Sequence, residues 1–159
     1  MSAKDLTEKT LEDYNDVFAD IVNVLLFKGK RLIHEDDLTP ETAHSIYKAD
    51  NKLHQQERDV AKYWKKGLIR IALFGMENQT DTDADMPLRV ISYDGAAYRN
   101  QLNAKDDQSK KRYPVVTMVL YFGYKHHWRK HLNLLSCFNT PEELKPFVND
   151  YRINLFEIA

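Results

Sequence analysis

LIRIALFGMENQTDTDADMPLRVISYDGAAYRNQL, residues 68–102, decides how this chain folds. Its apolar run LIRIALFGM (68–76) ends in Glu77-x-Gln79 and passes straight into an amphipathic helical pattern. Residues two apart on a strand share a face, so Glu77 and Gln79 emerge side by side at the rim of a hydrophobic sheet. Upstream, in QQERDVAKYWKKG (55–67), Asp59 precedes the turn Lys65-Lys66-Gly67. That turn predicts a hairpin of two strands, QERDVAKYW (56–64) and LIRIALFGM. An acid on one strand then faces an acid on the next, with an amide beside them. A hard, oxygen-seeking cation such as Mg²⁺ requires that combination.

Past Gln79, the polar run Thr80 to Asp85 offers several N-caps, and Met86-Pro87 fits the first turn of a helix. Ile91, Asp94, Tyr98 and Leu102 share one face of it; Val90, Tyr93 and Ala97 share an adjoining one. Arg89 stands in the first turn, near the strand end that carries Glu77 and Gln79. It either pairs with Asp81, Asp83 or Asp85 or supplies the positive charge that Gln79 lacks. Lys62 is a poorer source of that charge, because its odd offset from Asp59 sends it to the opposite side of a regular strand. VVTMVLYF (115–122) is a second buried strand, at the distance a strand-helix-strand crossover needs, so the sheet is mixed.

Toward the N-terminus, Leu11, Tyr14, Phe18, Ile21, Val22 and Leu25 make one apolar stripe, which predicts a helix over about residues 5–28 closed by Gly29. Asp16 and Asp20 lie close to that stripe. Residues 30–54 read as a link, with a short helix started by Thr39-Pro40-Glu41. TPEELKPFV (140–148) reads as a capped short helix and YRINLFEIA (151–159) as an alternating strand. A chain that stops inside an apolar strand suggests a further C-terminal region. The expected order is helix, three-strand meander, helix, strand and short C-terminal elements, an α/β fold.

With 159 residues, 43% hydrophobic and 30% charged, the chain is expected to form a single domain over 1–159. No run approaches a membrane span, and the N-terminus MSAKDLTEKTLEDY has acids and no apolar signal core, which predicts a cytoplasmic protein. Cys137 is the only cysteine, so an intramolecular disulfide is excluded and a small buried hydrophobe is its expected role. The net charge of -1 argues against a globally basic nucleic-acid binder. The cations are nevertheless clumped: Lys62, Lys65, Lys66 and Arg70; Lys105, Lys110, Lys111 and Arg112; Lys125, Arg129 and Lys130 among His126, His127 and His131. Only a position around one cleft would make a clump a phosphate track. The histidines lack the spacing of a zinc site.

Asp59 with Glu77-x-Gln79, followed by MPLRVISYDGAAYRNQL (86–102), resembles the recombination-promoting nuclease and putative transposase family within the PD-(D/E)XK nuclease superfamily. FADIVNVLLFKG (18–29), YPVVTMVLYFG (113–123) with Trp128, and PFVNDYRINLFEIA (146–159) resemble it too, in the same order along nearly the whole chain. The resemblance implies a restriction-endonuclease-like fold, a mixed sheet flanked by helices, and a metal-dependent DNA endonuclease using Mg²⁺ or Mn²⁺. On that reading Asp59, Glu77 and the backbone carbonyl of Asn78 hold the metal, and Asp20, from the first helix, approaches it. Gln79 stands where the superfamily has Lys; it can orient a water or a phosphate oxygen but, as a neutral amide, cannot be a general base. Arg89 and Tyr93 would contact phosphate. DNA is the implied partner, and double-strand cutting would suit a homodimer. The alternative is a catalytically degenerate relative that binds nucleic acid or a protein partner without cutting.

Overall fold

The computed structural model describes residues 3–41, 44–49, 52–103 and 111–159. Two helices, α1 (Ala3–Glu12) and α2 (Asn15–Phe27), replace the single helix expected over 5–28. The break is tertiary in origin. Tyr14 is extended, at φ -73 and ψ 130, and the buried Lys62 ammonium donates to the Asp13 carbonyl at 2.7 Å and to Asn15 Oδ1 at 2.8 Å. A buried ammonium must find such acceptors, and the opened backbone supplies one of them. At the far end Lys28 (φ 54) and Gly29 (φ 86) both turn left-handed, and the Gly29 N–H donates to the Asn23 carbonyl, a helix stop that glycine makes easy.

The strands are β1 (Leu38–Pro40), β2 (His44–Ala49), β3 (Lys52–Glu57), β4 (Val60–Lys66), β5 (Ile69–Gln79), β6 (Val115–Tyr121) and β7 (Asn154–Glu157). A five-stranded sheet runs β1-β4-β5-β6-β7, and β2 with β3 forms a separate antiparallel pair. Thr39-Pro40 therefore begins no helix: it ends an edge strand, where a proline without an N–H is tolerated. The expected meander exists in space as β1, β4 and β5, interrupted in sequence by the β2–β3 hairpin. The Lys65-Lys66-Gly67 turn forms as expected: Lys66 pairs with Ile69, and Gly67 takes φ 61. The strand expected over 56–64 is divided, since β3 ends at Glu57 and the chain bends at Asp59 before β4 begins.

Helix α3 (Met86–Asn103) carries the crossover from β5 to β6, which lie parallel from Leu73↔Val115 to Gln79↔Tyr121. Alternation assigns the faces. Phe18, Ala19 and Val22 of α2 pack on Ala72, Phe74, Met76, Met118 and Leu120. Met86 and Val90 of α3 pack on Val119 and Tyr121, and Ala97 packs with Leu73 and Val115. The buried side of α3 is thus the Val90, Tyr93, Ala97 face together with Asp94, whereas Tyr98 and Leu102 are exposed. TPEELKPFV makes only a 3-10 turn, Lys145–Phe147. Pro146 lacks an N–H for a longer ladder, and the segment is too exposed to gain packing in return.

Candidate functional site

The bend at Asp59 makes the site. Asp59 N–H donates to the Met76 carbonyl at 3.1 Å, and Val60 pairs with Met76, so Asp59 comes to lie opposite Glu77 one step along the register. Its Oδ2 accepts the Asn78 N–H at 2.7 Å. Its Oδ1 meets Lys9 Nζ of α1 at 2.5 Å. Glu77, on the α3 side of β5, presents Oε1 to Arg89 Nη2 at 2.5 Å and to Gln79 Nε2 at 3.4 Å. Arg89 also binds Asp83 at 2.8 Å and lies 3.4 Å from the Tyr93 hydroxyl. The pairing reading of Arg89 is met by Asp83, and Arg89 pairs with Glu77 as well: it ties the loop acid to the strand acid.

Asn78 points to the other side of β5 and donates through Nδ2 to Glu12 Oε2 at 2.8 Å. Helix α1 therefore lies across the carboxyl ends of the strands, with Lys9 and Glu12 at the rim. Sequence reading assigned the helical acid to Asp20. The structure places Asp20 on the exposed side of α2, between a surface cleft with Asp16, Arg31 and His34 and another that it lines together with Glu12; the contact with Asn78 is made by Glu12. Had the stripe been read as two helices, Lys9 and Glu12, on the polar side of the first, would have been the nearer pair.

Burial dominates the electrostatics. Glu77 is 4% exposed, and burial, then the negative charge of Asp59, raise its pKa from 4.5 to about 7 against the pull of Arg89, Lys9 and Arg58. Glu12 is raised to about 7, again first by burial, with Asp59 and Glu8 adding to the rise and the Asn78 bond and Lys9 opposing it. Burial and Glu77 also raise the pKa of Tyr93, which stays a neutral phenol. Three buried oxygens on these residues, Glu8 Oε2, Glu77 Oε2 and Asn78 Oδ1, have no hydrogen-bond partner. Of these, Glu77 Oε2 lies beside the repelling charge of Asp59, an orphaned acceptor of the kind a hard cation can complete. Among the described residues no cluster of three or more His, Cys, Asp or Glu side chains is arranged to hold a metal. Mg²⁺ needs no such cage, since it binds through one or two carboxylates, waters and substrate phosphate oxygens.

A second charged group lies beneath the rim. Arg58, thrown to the α3 side by the same bend, donates to Thr117 Oγ1 at 3.1 Å and stands 3.8 Å from Asp94 Oδ1. Thr117 Oγ1 donates to Asp94 Oδ1 at 2.5 Å, and the Tyr151 hydroxyl donates to Asp94 Oδ2. Gly75 makes room for it: a Cβ there would lie 2.7 Å from Arg58 Cδ.

The cation clumps separate by position. Lys65, Lys66 and Arg70 flank the β4–β5 turn, at the opposite end of β5 from Glu77, and Lys62 is buried. Lys111 and Arg112 precede β6, also at the far end, while Lys105 and Lys110 lie outside the described residues. Lys125, Arg129 and Lys130 follow β6 and stand at the site end. Cys137, expected to be buried, is partly exposed, its thiol 3.4 Å from the Ala84 carbonyl. No helix among the described residues is long and apolar enough to cross a membrane.

No curated protein and no solved structure matches the chain. A family model does: residues 65–159 match "Putative transposase, YhgA-like". The match takes in Glu77, Gln79, Arg89, Tyr93, Asp94 and the loop after β6, and leaves Lys9, Glu12 and Asp59 upstream of it. Covering more than half of the sequence, and carrying the strand-helix-strand unit on which the acidic rim is built, this match establishes that the chain belongs to the YhgA-like transposase family.

Proposed function

We propose that the chain is a metal-dependent DNA endonuclease with a PD-(D/E)XK type of site. The supporting observation is Glu77 Oε2: a carboxylate oxygen buried without a partner, beside the charge of Asp59, at the end of parallel strands. Asp59 and Glu77, with the backbone carbonyl of Asn78, would hold Mg²⁺ or Mn²⁺. Such an ion supplies a water of lowered pKa and neutralises charge that builds on the phosphate. Without it Glu77 titrates near neutrality, so proton and cation compete for the same oxygens.

The remaining residues act by position. Gln79, within hydrogen-bond reach of Glu77, orients a water or a phosphate oxygen. Arg89 and Tyr93 donate to the phosphate. Lys9 supplies the positive charge that the superfamily takes from the motif lysine and that Gln79 lacks. Glu12, through Asn78, holds the strand end in place.

Plasmid nicking in Mg²⁺ tests this reading: wild-type protein should nick, and Asp59→Ala should not. Wild-type that nicks no better than Asp59→Ala overturns it. The ion pairs of Lys9 with Asp59 and Arg89 with Glu77 favour a second reading, in which the rim is neutralised within the chain and the protein binds DNA without cutting. That reading predicts DNA retention without nicking, and a melting temperature that Mg²⁺ leaves unchanged.

A further inference from the structure

We propose that the loop 124–131 is a DNA-backbone grip, with Lys125, Arg129 and Lys130 binding successive phosphates beside the acidic rim. The inference rests on the reading that the rim acts on DNA.

Three observations carry it. First, the loop is built as a presentation device. Trp128 is 4% exposed, packs edge-on against Tyr121 with ring centroids 5.4 Å apart, and donates through Nε1 to the Lys130 carbonyl at 2.9 Å. The Trp128 N–H donates to Glu157 Oε1 at 2.7 Å, and the Tyr121 hydroxyl donates to the His126 carbonyl at 2.8 Å. Around this anchor every residue from Tyr124 to Lys130 except Trp128 is exposed. A fixed backbone with solvated cationic tips binds an extended polyanion with little further loss of conformational freedom.

Second, the charges are available. The side chains of Lys125 and Lys130 have no ion-pair partner among the described residues. The acids nearby are largely committed: Asp83 to Arg89, and Glu157 to His127 and the Trp128 N–H. Asp81 is the remaining acid on the cleft walls.

Third, the loop follows the end of β6 that pairs with Gln79, so it stands at the site's end of the sheet. One cleft of about 530 Å³ runs between residues 82–84 and 126–131, and another of about 320 Å³ between Lys4, residues 80–82 and 121–126. They share Thr82 and His126, and Asp83 on the wall of the first connects through Arg89 to Glu77. Tyr124, 83% exposed beside Lys125, adds an aromatic face on which an unpaired base can stack.

The test is fluorescence anisotropy of the full chain with a labelled 30-base duplex over a salt series. Lys125→Ala/Arg129→Ala/Lys130→Ala should bind more weakly, with the slope of log K against log salt reduced by roughly 2 to 3, the share of three phosphate contacts at about 0.9 each. Lys125→Arg/Lys130→Arg should keep both affinity and slope. Lys65→Ala/Lys66→Ala/Lys111→Ala, which removes the same charge at the far end of the sheet, should leave the slope within about one unit of wild type. Equal losses from the two alanine triples, an unaltered slope in the loop variant, or no binding by wild type would overturn the inference. Binding and nicking are read separately: wild type that grips through the loop but does not nick keeps this inference and discards the endonuclease.

Discussion

Glu77 and Asp94 are both buried acids on the α3 side of the sheet, 4% and 3% exposed, and each stands near a guanidinium. Their surroundings differ in completeness. Both oxygens of Asp94 are engaged, one by Thr117 and one by Tyr151, and the Arg58 charge beside it is shared with the same threonine. Glu77 has one oxygen engaged and one buried with nothing to accept from. Satisfied buried charge holds elements together; unsatisfied buried charge costs stability and persists where a ligand completes it. The contrast marks Asp94 as the satisfied acid and Glu77 as the one the proposed function would use.

That separation can be broken, first at the structural acid. Asp94→Ala leaves Arg58 buried without its counter-charge and should cost about 3–5 kcal/mol of unfolding free energy in urea denaturation. A loss well below 1 kcal/mol would mean that the group is not structural. Glu77→Gln should act in the opposite sense, lowering Mg²⁺-dependent nicking by about 10²–10³-fold while leaving the melting temperature at pH 8 unchanged or higher. A large drop in melting temperature would make Glu77 a second structural acid. Gly75→Ala drives a Cβ into Arg58 and should destabilise by about 1–3 kcal/mol, measured the same way. An unchanged stability there would show that Arg58 can move aside.

The smallest effect sharpens the contrast by pH. Glu12 and Glu77 have an ordinary pKa of 4.5 and are held at about 7 in the fold, so the folded chain keeps protons that the unfolded chain releases. Their contribution to stability is complete below about 4.5 and is lost as pH rises through about 7. Mg²⁺ at ten times its dissociation constant at pH 8 should restore about 1.4 kcal/mol there, and the same concentration less at pH 6, as a rise in melting temperature. Equal stabilisation at the two pH values would separate the cation from these carboxyls.

Much of this frame was legible in the sequence. The hairpin, the crossover helix and the mixed sheet were written in local patterns: Lys65-Lys66-Gly67, Met86-Pro87 and two apolar runs of strand length. The chemistry at the rim was half legible. Glu77, Gln79 and Arg89 lie on one continuous strand-to-helix unit, so spacing alone brings them together. Lys9 and Glu12 reach the site only because the helix breaks at Tyr14, and that break depends on Lys62, a buried cation from a distant strand. The apolar stripe runs unbroken through residues 13–15, and the family resemblance of FADIVN pointed instead to Asp20. The bend at Asp59 was hidden likewise, since QERDVAKYW reads as an unbroken strand until Arg58 is seen to need the opposite face.

The outermost strands of the five-stranded sheet carry a consequence for self-association. On one side β1 has three residues and ends in a proline; on the other β7 has four. Margins so short, one of them lacking an amide hydrogen, offer a second molecule almost no backbone ladder to extend. Two copies that met along this sheet would therefore join through side chains rather than by pairing strands.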